Sequence, residues 1–247
     1  MNDFIAYEYQ SITPSDLSSK NILMIGRGND KIKRFELGIE AMKYIIMEIK
    51  DSMMIIISKI YNSHLKLVTK LNLKENIKFI GYSSNPQVFY KDACMHIFPT
   101  LVEAFPNILS ETLVYGIPNI LLGLDYVSTC KGGTVIIYDD SPLSIAKIAI
   151  KIIKNKRFRK KLGKEARKNM KNFRNEILLN RWVQLILSIY KGDNPYTKLN
   201  NQHKKISENE ALKIIGTQLK LLKIRNRKYK KITINNVLNF TFMKNIK

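Results

Sequence analysis

TLVEAFPNILSETLVYGIP, residues 100–118, places two glutamates, Glu103 and Glu111, on either side of a chain corner. A short apolar run, Met95 to Pro99, comes first and reads as a buried strand entering a loop. The loop Thr100–Pro106 carries Glu103. Pro106 then precedes a helical segment, Asn107–Tyr115, with Asn107 as its N-cap and Glu111 in its second turn. Gly116 stops this helix and Pro118 lies just beyond. Another apolar strand follows, Asn119–Leu122. A lone glutamate on a loop or a helix reads as a solvated surface residue. Here the surroundings are almost wholly apolar, and the helix start offers unpaired N–H groups and a positive dipole end suited to a phosphate or diphosphate.

Outward from this corner the pattern repeats. Asn21–Ile25, Met53–Ile57, Asn76–Ile80 and Met95–Phe98 are short apolar runs. Phe35–Ile49, His64–Leu71 and Pro86–Ala93 between them read as helices, the first with apolar residues at Phe35, Ile39, Met42, Ile45 and Ile49. Gly132-Gly133 precedes a weak strand, Thr134–Ile137, and Ser141-Pro142 opens a helix to about Lys154. Strands that are apolar throughout, alternating with helices, predict an α/β fold: a parallel sheet covered on both faces. In such sheets ligands bind beyond the carboxyl ends of the strands. The loops Gly26–Lys33, Ser58–Ser63, Gly81–Asn85 and Pro99–Pro106 share that edge.

The predicted organisation has three parts. Residues 1–20 are an irregular segment, 21–190 form the α/β domain, and 191–247 are a basic, partly helical tail. Lys156–Arg174 is strongly basic and leads into a helix from Asn175 to about Tyr190. In the tail, Ser207–Arg225 is amphipathic and begins with a capping box, Ser207 with Glu210.

The chain has 247 residues and a formal net charge of +22. That charge suits nucleic acid, an anionic membrane surface or a phosphorylated substrate. Part of it reflects a chain crowded with Lys, Asn and Ile. Cys94 and Cys130 form no metal or disulfide pattern. The first residues lack the apolar core of a signal peptide, and no run is long enough to span a membrane. A cytoplasmic protein is the expectation.

Arg27 and Lys33 stand in the loop after the first strand, on the same edge as Glu103. Arginine binds two phosphate oxygens at once and lysine acts as a point charge, so the pair and the helix start at Asn107 make a diphosphate pocket. With these parts in view, the chain resembles the C-terminal, donor-binding half of a family 4 glycosyltransferase (group 1) of the GT-B fold, a Rossmann-like domain, over about residues 15–190. Four motifs carry the resemblance: Ile25-Gly26-Arg27 followed by Lys33; Phe79-Ile80-Gly81-Tyr82; the Glu103 to Glu111 spacing with Phe105, Pro106, Asn107 and Ile108 between; and Tyr115-Gly116-Ile117-Pro118.

The resemblance implies roles for these residues. Arg27 and Lys33 would bind the diphosphate of a nucleotide-sugar and stabilise it as leaving group. Glu111 would hold the ribose hydroxyls. Glu103 would stand near the sugar, whose hydroxyls would meet the main chain of Phe105, Pro106 and Asn107. Gly81 and Tyr82 would lie near the base. The reaction would retain anomeric configuration without a metal or other cofactor, acting on a glycan or lipid-linked acceptor in polysaccharide biosynthesis. A GT-B enzyme needs a second, N-terminal domain for the acceptor, and residues 1–20 are too short to supply one. A separate or missing N-terminal domain is therefore implied, with a non-catalytic donor-binding remnant as the alternative.

Two further readings stay open. Lys156–Arg174, including Arg157, Arg159, Lys160, Arg167 and Lys168, makes a cationic surface for nucleic acid, but a stacking pattern of aromatics is missing and a solvated helix face is favoured. The amphipathic helix at 207–225 is a candidate contact with the inner face of the membrane, or packs on the domain.

Overall fold

The computed structural model describes residues 12–27, 32–101, 103, 106–123 and 132–190. Phe105, Cys130 and the tail helix at 207–225 lie outside the described residues. Six strands form one parallel sheet: β1 (Asn21–Ile25), β2 (Met53–Ile57), β3 (Ile77–Phe79), β4 (Met95–Phe98), β5 (Asn119–Leu122) and β6 (Thr134–Ile137). The helices are α1 (Phe35–Glu48), α2 (Asn62–Lys70), α3 (Gln87–Tyr90), α4 (Asn107–Val114), α5 (Pro142–Lys154), α6 (Lys156–Met170) and α7 (Asn175–Tyr190), with a 3-10 turn at Lys171–Phe173. Residues 12–20 form neither helix nor strand; Ile12 and Leu17 are nonetheless buried, and Ser15 donates to the carbonyl of Ala93 at 2.7 Å.

The strand order is β3-β2-β1-β4-β5-β6. Each strand sends alternate side chains to opposite faces, and two cores result. Ile22 and Met24 join Met54, Ile97 and Ile120 under α1, α2 and α5. Leu23 and Ile25 join Phe98 and Leu121 under α4 and α6. Because both faces are covered, the strands are largely apolar on both sides, as expected for a parallel sheet, with Lys78 exposed on β3 and His96 and Asn119 as buried polar exceptions.

The basic stretch 156–174 is cationic on its outer side only, and two arginines grouped with the surface cations are corrected. α6 is amphipathic, and two of its arginines point inward. Arg159 is buried and donates through Nε to the carbonyl of Leu17 at 2.8 Å and through Nη1 to the carbonyl of Ile152 at 2.8 Å. Arg167 donates to the carbonyl of Val114 at 2.8 Å. Ile152 and Val114 belong to the last turns of α5 and α4, whose carbonyls have no partner within their own helix. Both arginines thus satisfy helix ends rather than a ligand.

Candidate active site

Between β1 and β4 the strand order reverses direction. The loop after β1 leads to α1 on one face of the sheet, and the loop after β4 leads to α4 on the other. Such a switch point leaves a crevice at the carboxyl edge. The two loops are tied together: the backbone N–H of Leu101 donates to the carbonyl of Ile32 at 2.8 Å. Gly26 turns the chain out of β1 with φ +152°, and its N–H donates to the carbonyl of Ile57 at 3.2 Å. A side chain there would have to adopt a backbone conformation that L residues rarely take.

That turn leaves Arg27 exposed at the rim. Lys33 points across the crevice and forms an ion pair with Glu103, each side chain about 15% exposed. The ammonium also lies 5.4 Å from the centre of the Phe98 ring. Thr100 Oγ1 donates to Glu103 Oε1 at 3.3 Å. Lys33 and Glu103, 70 positions apart, thus meet at the switch point. The expected open pair of cations needs one amendment: the Lys33 charge is balanced by Glu103.

α4 begins at the same edge. Its N-cap is Pro106, in extended conformation with φ −78° and ψ 116°, and not Asn107. Proline holds φ near the value required there, so Asn107 is already the first helical residue and its side chain cannot cap. The N-cap residue itself supplies no side-chain hydrogen bond to this helix start. The N–H groups of Asn107 and Ile108 have no acceptor within the helix. Glu111 is held one turn further on, where Tyr90, fully buried in α3, donates its hydroxyl to Glu111 Oε2 at 2.8 Å. Burial pushes the Glu111 carboxyl above its usual range, and the Tyr90 hydrogen bond pulls the other way. The Tyr90 ring is fixed by an edge contact with Tyr115, centres 5.0 Å apart.

Gly81 follows β3 with φ +82°, and the Tyr82 side chain is 89% exposed. β3 lies two strands from β1, about 10 Å across the sheet. That is the reach of a nucleoside extending from a diphosphate at β1.

Sequence reasoning missed a second cross-loop pair. Arg34, at φ 51°, forms an ion pair with Asp140 in the loop after β6 at 3.0 Å. Its Nη1 is buried without a hydrogen-bond partner. The left-handed conformation at a non-glycine residue was the available signal, but only coordinates show it. Among the described residues, no three His, Cys, Asp or Glu side chains gather as metal ligands. His96 is buried in β4 with Nδ1 2.6 Å from Asn119 Oδ1, a core residue away from the crevice.

A family model, Glycosyl transferases group 1, matches residues 8–169, a span that takes in Arg27, Lys33, Glu103 and Glu111. The chain belongs to that family. Solved structures share its fold. S. aureus TarM, in complex with Fondaparinux, alpha-GlcNAc-glycerol and UDP, superposes with TM-score 0.66 at 17% identity, over 74% of this chain and 38% of that one. Anabaena Alr3699/HepE, in complex with UDP and glucose, gives TM-score 0.61 at 13% identity, over 69% of this chain and 48% of that one. The C-terminal domain of the glycosyl transferase group 1 protein LpcC from Francisella tularensis gives TM-score 0.58 at 16% identity, over 68% of this chain and 97% of that domain. This group 1 chain therefore spans less than half the length of the first two, and about two thirds of it covers nearly all of an isolated C-terminal domain. No curated protein matches it.

Proposed function

We propose that this chain is the donor-binding half of a glycosyltransferase, and that its crevice binds a nucleotide-diphospho-sugar. The observation that carries the reading is the meeting of Lys33 and Glu103 at the switch point, beside the start of α4. Arg27 and Lys33 neutralise the diphosphate, and the N–H groups at Asn107 and Ile108 complete the anion cradle. Glu111, positioned by Tyr90, accepts from the ribose hydroxyls through its second oxygen. Glu103 turns from Lys33 toward the sugar hydroxyls once a phosphate takes the ammonium.

In the reaction the bond from the anomeric carbon to the diphosphate oxygen breaks, and a bond to an acceptor hydroxyl forms. The acceptor proton passes to the departing diphosphate, whose growing charge the two cations stabilise. Retention of configuration and independence from a metal rest on the family resemblance. The acceptor, a glycan or lipid-linked sugar, is bound by an N-terminal domain supplied by other sequence. The length comparison supports that part, and so does an exposed apolar row on α7: Leu179, Val183, Ile186 and Leu187. The chain alone is expected to bind donor and turn over little.

Calorimetric titration with UDP- and GDP-sugars tests this reading. Binding that weakens at least about tenfold in both Arg27→Ala and Lys33→Ala is expected, since each removes a charge-assisted contact. Unchanged affinity in both variants would remove the diphosphate assignment.

A further inference from the structure

We propose that the outer face of α6 is a docking surface for an anionic lipid bilayer. Lys156, Arg157, Lys160, Lys161, Lys164 and Lys168 are all exposed. At 3.6 residues per turn they fall within an arc of about 140°. The opposite side of the helix, Arg159, Leu162, Gly163, Ala166 and Met170, is buried. α6 is therefore held rigidly, with its cations standing outward along about 18 Å of helix.

Composition alone does not produce this face. Between residues 156 and 174 Lys and Arg outnumber Asp and Glu ten to one, against 42 to 20 in the whole chain. The one acid, Glu165, approaches only Lys161, at 3.9 Å. Among the described residues, the other five cations have no ion-pair partner within 4 Å. The tail cannot neutralise the face either: residues 191–247 hold 14 Lys and Arg to 3 Asp and Glu. The surface calls for an external polyanion.

Between the available polyanions the geometry favours a bilayer. The cations project from a single convex helix, which suits a planar array of phosphates and not a strand held in a groove. The helix offers no aromatic platform for bases: Phe158, its one aromatic, is partly buried and covered by Lys151, whose ammonium lies 5.0 Å from the ring centre. Each lysine close to an anionic leaflet contributes about fivefold to partitioning, attenuated by salt.

Vesicle co-sedimentation with the full chain tests the proposal. Vesicles are phosphatidylcholine alone, or with about one third phosphatidylglycerol. One variant carries Lys156→Gln, Lys160→Gln, Lys164→Gln and Lys168→Gln. A second, with equal charge loss, carries Lys204→Gln, Lys213→Gln, Lys220→Gln and Lys223→Gln in the tail. All eight are surface or tail positions, and a thermal melt confirms that the first variant folds. The expected result is binding that requires phosphatidylglycerol, falls at least about a hundredfold in the α6 variant, and falls less than about tenfold in the tail variant. Equal losses in both variants would reduce the effect to net charge and overturn the assignment. So would undiminished binding of the α6 variant. A single-stranded RNA that binds more tightly than the vesicles, and is lost in the α6 variant, would make the face a nucleic-acid surface and reject the bilayer.

Discussion

Tyr90→Phe removes one hydroxyl and leaves the ring, its burial and its contact with Tyr115 in place. What is lost is the hydrogen bond to Glu111 Oε2 at 2.8 Å. A hydrogen bond to a charged group contributes about 1.5–3 kcal/mol, and one between neutral groups about 0.5–1.5 kcal/mol. The cost should therefore depend on whether Glu111 is ionised. Burial raises the folded-state carboxyl above its ordinary value of 4.5. Between the unfolded and folded values the native state binds more protons than the unfolded chain, so this group's contribution to stability falls as pH rises through that window. In Tyr90→Phe the carboxylate loses that hydrogen bond, the folded value rises further, and the fall with pH deepens. Urea unfolding at pH 7.5 should show a loss of about 2 kcal/mol, and a smaller one at pH 4.5, because lowering the pH adds a proton to Glu111 and leaves only a neutral hydrogen bond to lose. Nucleotide affinity at pH 7.5 should drop as well, because Glu111 is no longer held in place. A loss that is the same at both pH values, or no loss at all, would refute the claim that Tyr90 positions an ionised Glu111.

Three other perturbations separate the parts of the account. Glu103→Gln frees Lys33 from its partner, so nucleoside diphosphate should bind a few-fold more tightly while transfer by the reconstituted enzyme collapses; calorimetry and a transfer assay read the two effects apart. Arg159→Met leaves the buried carbonyls of Leu17 and Ile152 without a donor and should cost about 3 kcal/mol in urea unfolding, with no rescue by Arg159→Lys. Burial pushes His96 down to about 4 from 6.5. The unfolded chain then holds more protons between those values, so stability should climb from pH 4 to 6.5 and level off above, and His96→Gln should flatten that climb in thermal melts.

Much of the architecture was legible in the residues. β1, β2, β4, β5 and β6 are continuous apolar runs bounded by Gly, Pro or polar residues, and their limits match the reading. Helix limits drifted where the pattern was weak: α2 begins at Asn62, two residues before the expected start, and α3 shrinks to Gln87–Tyr90. At α4 the capping preference of asparagine points to Asn107, while the proline before it already holds the required backbone angle. Charge density alone groups Arg159 and Arg167 with the surface cations, although helical spacing places Arg159 on the stripe of Leu162, Ala166 and Met170. Lys33 and Glu103 were each legible as site residues, but their direct pairing was not. Tyr90 with Glu111, and Arg34 with Asp140, depend on strand order and loop path, which no local pattern encodes.

The central claim is that the crevice at β1 and β4 grips a diphosphate, and a ladder of ligands isolates that term. Dissociation constants should be measured for a nucleoside, its monophosphate and its diphosphate, using whichever of uridine, guanosine or adenosine binds tightest. The account predicts that the second phosphate strengthens binding by about 10- to 100-fold in the native chain and by less than about threefold in Lys33→Ala. Equal affinity for monophosphate and diphosphate, or a gain that survives in Lys33→Ala, would contradict it.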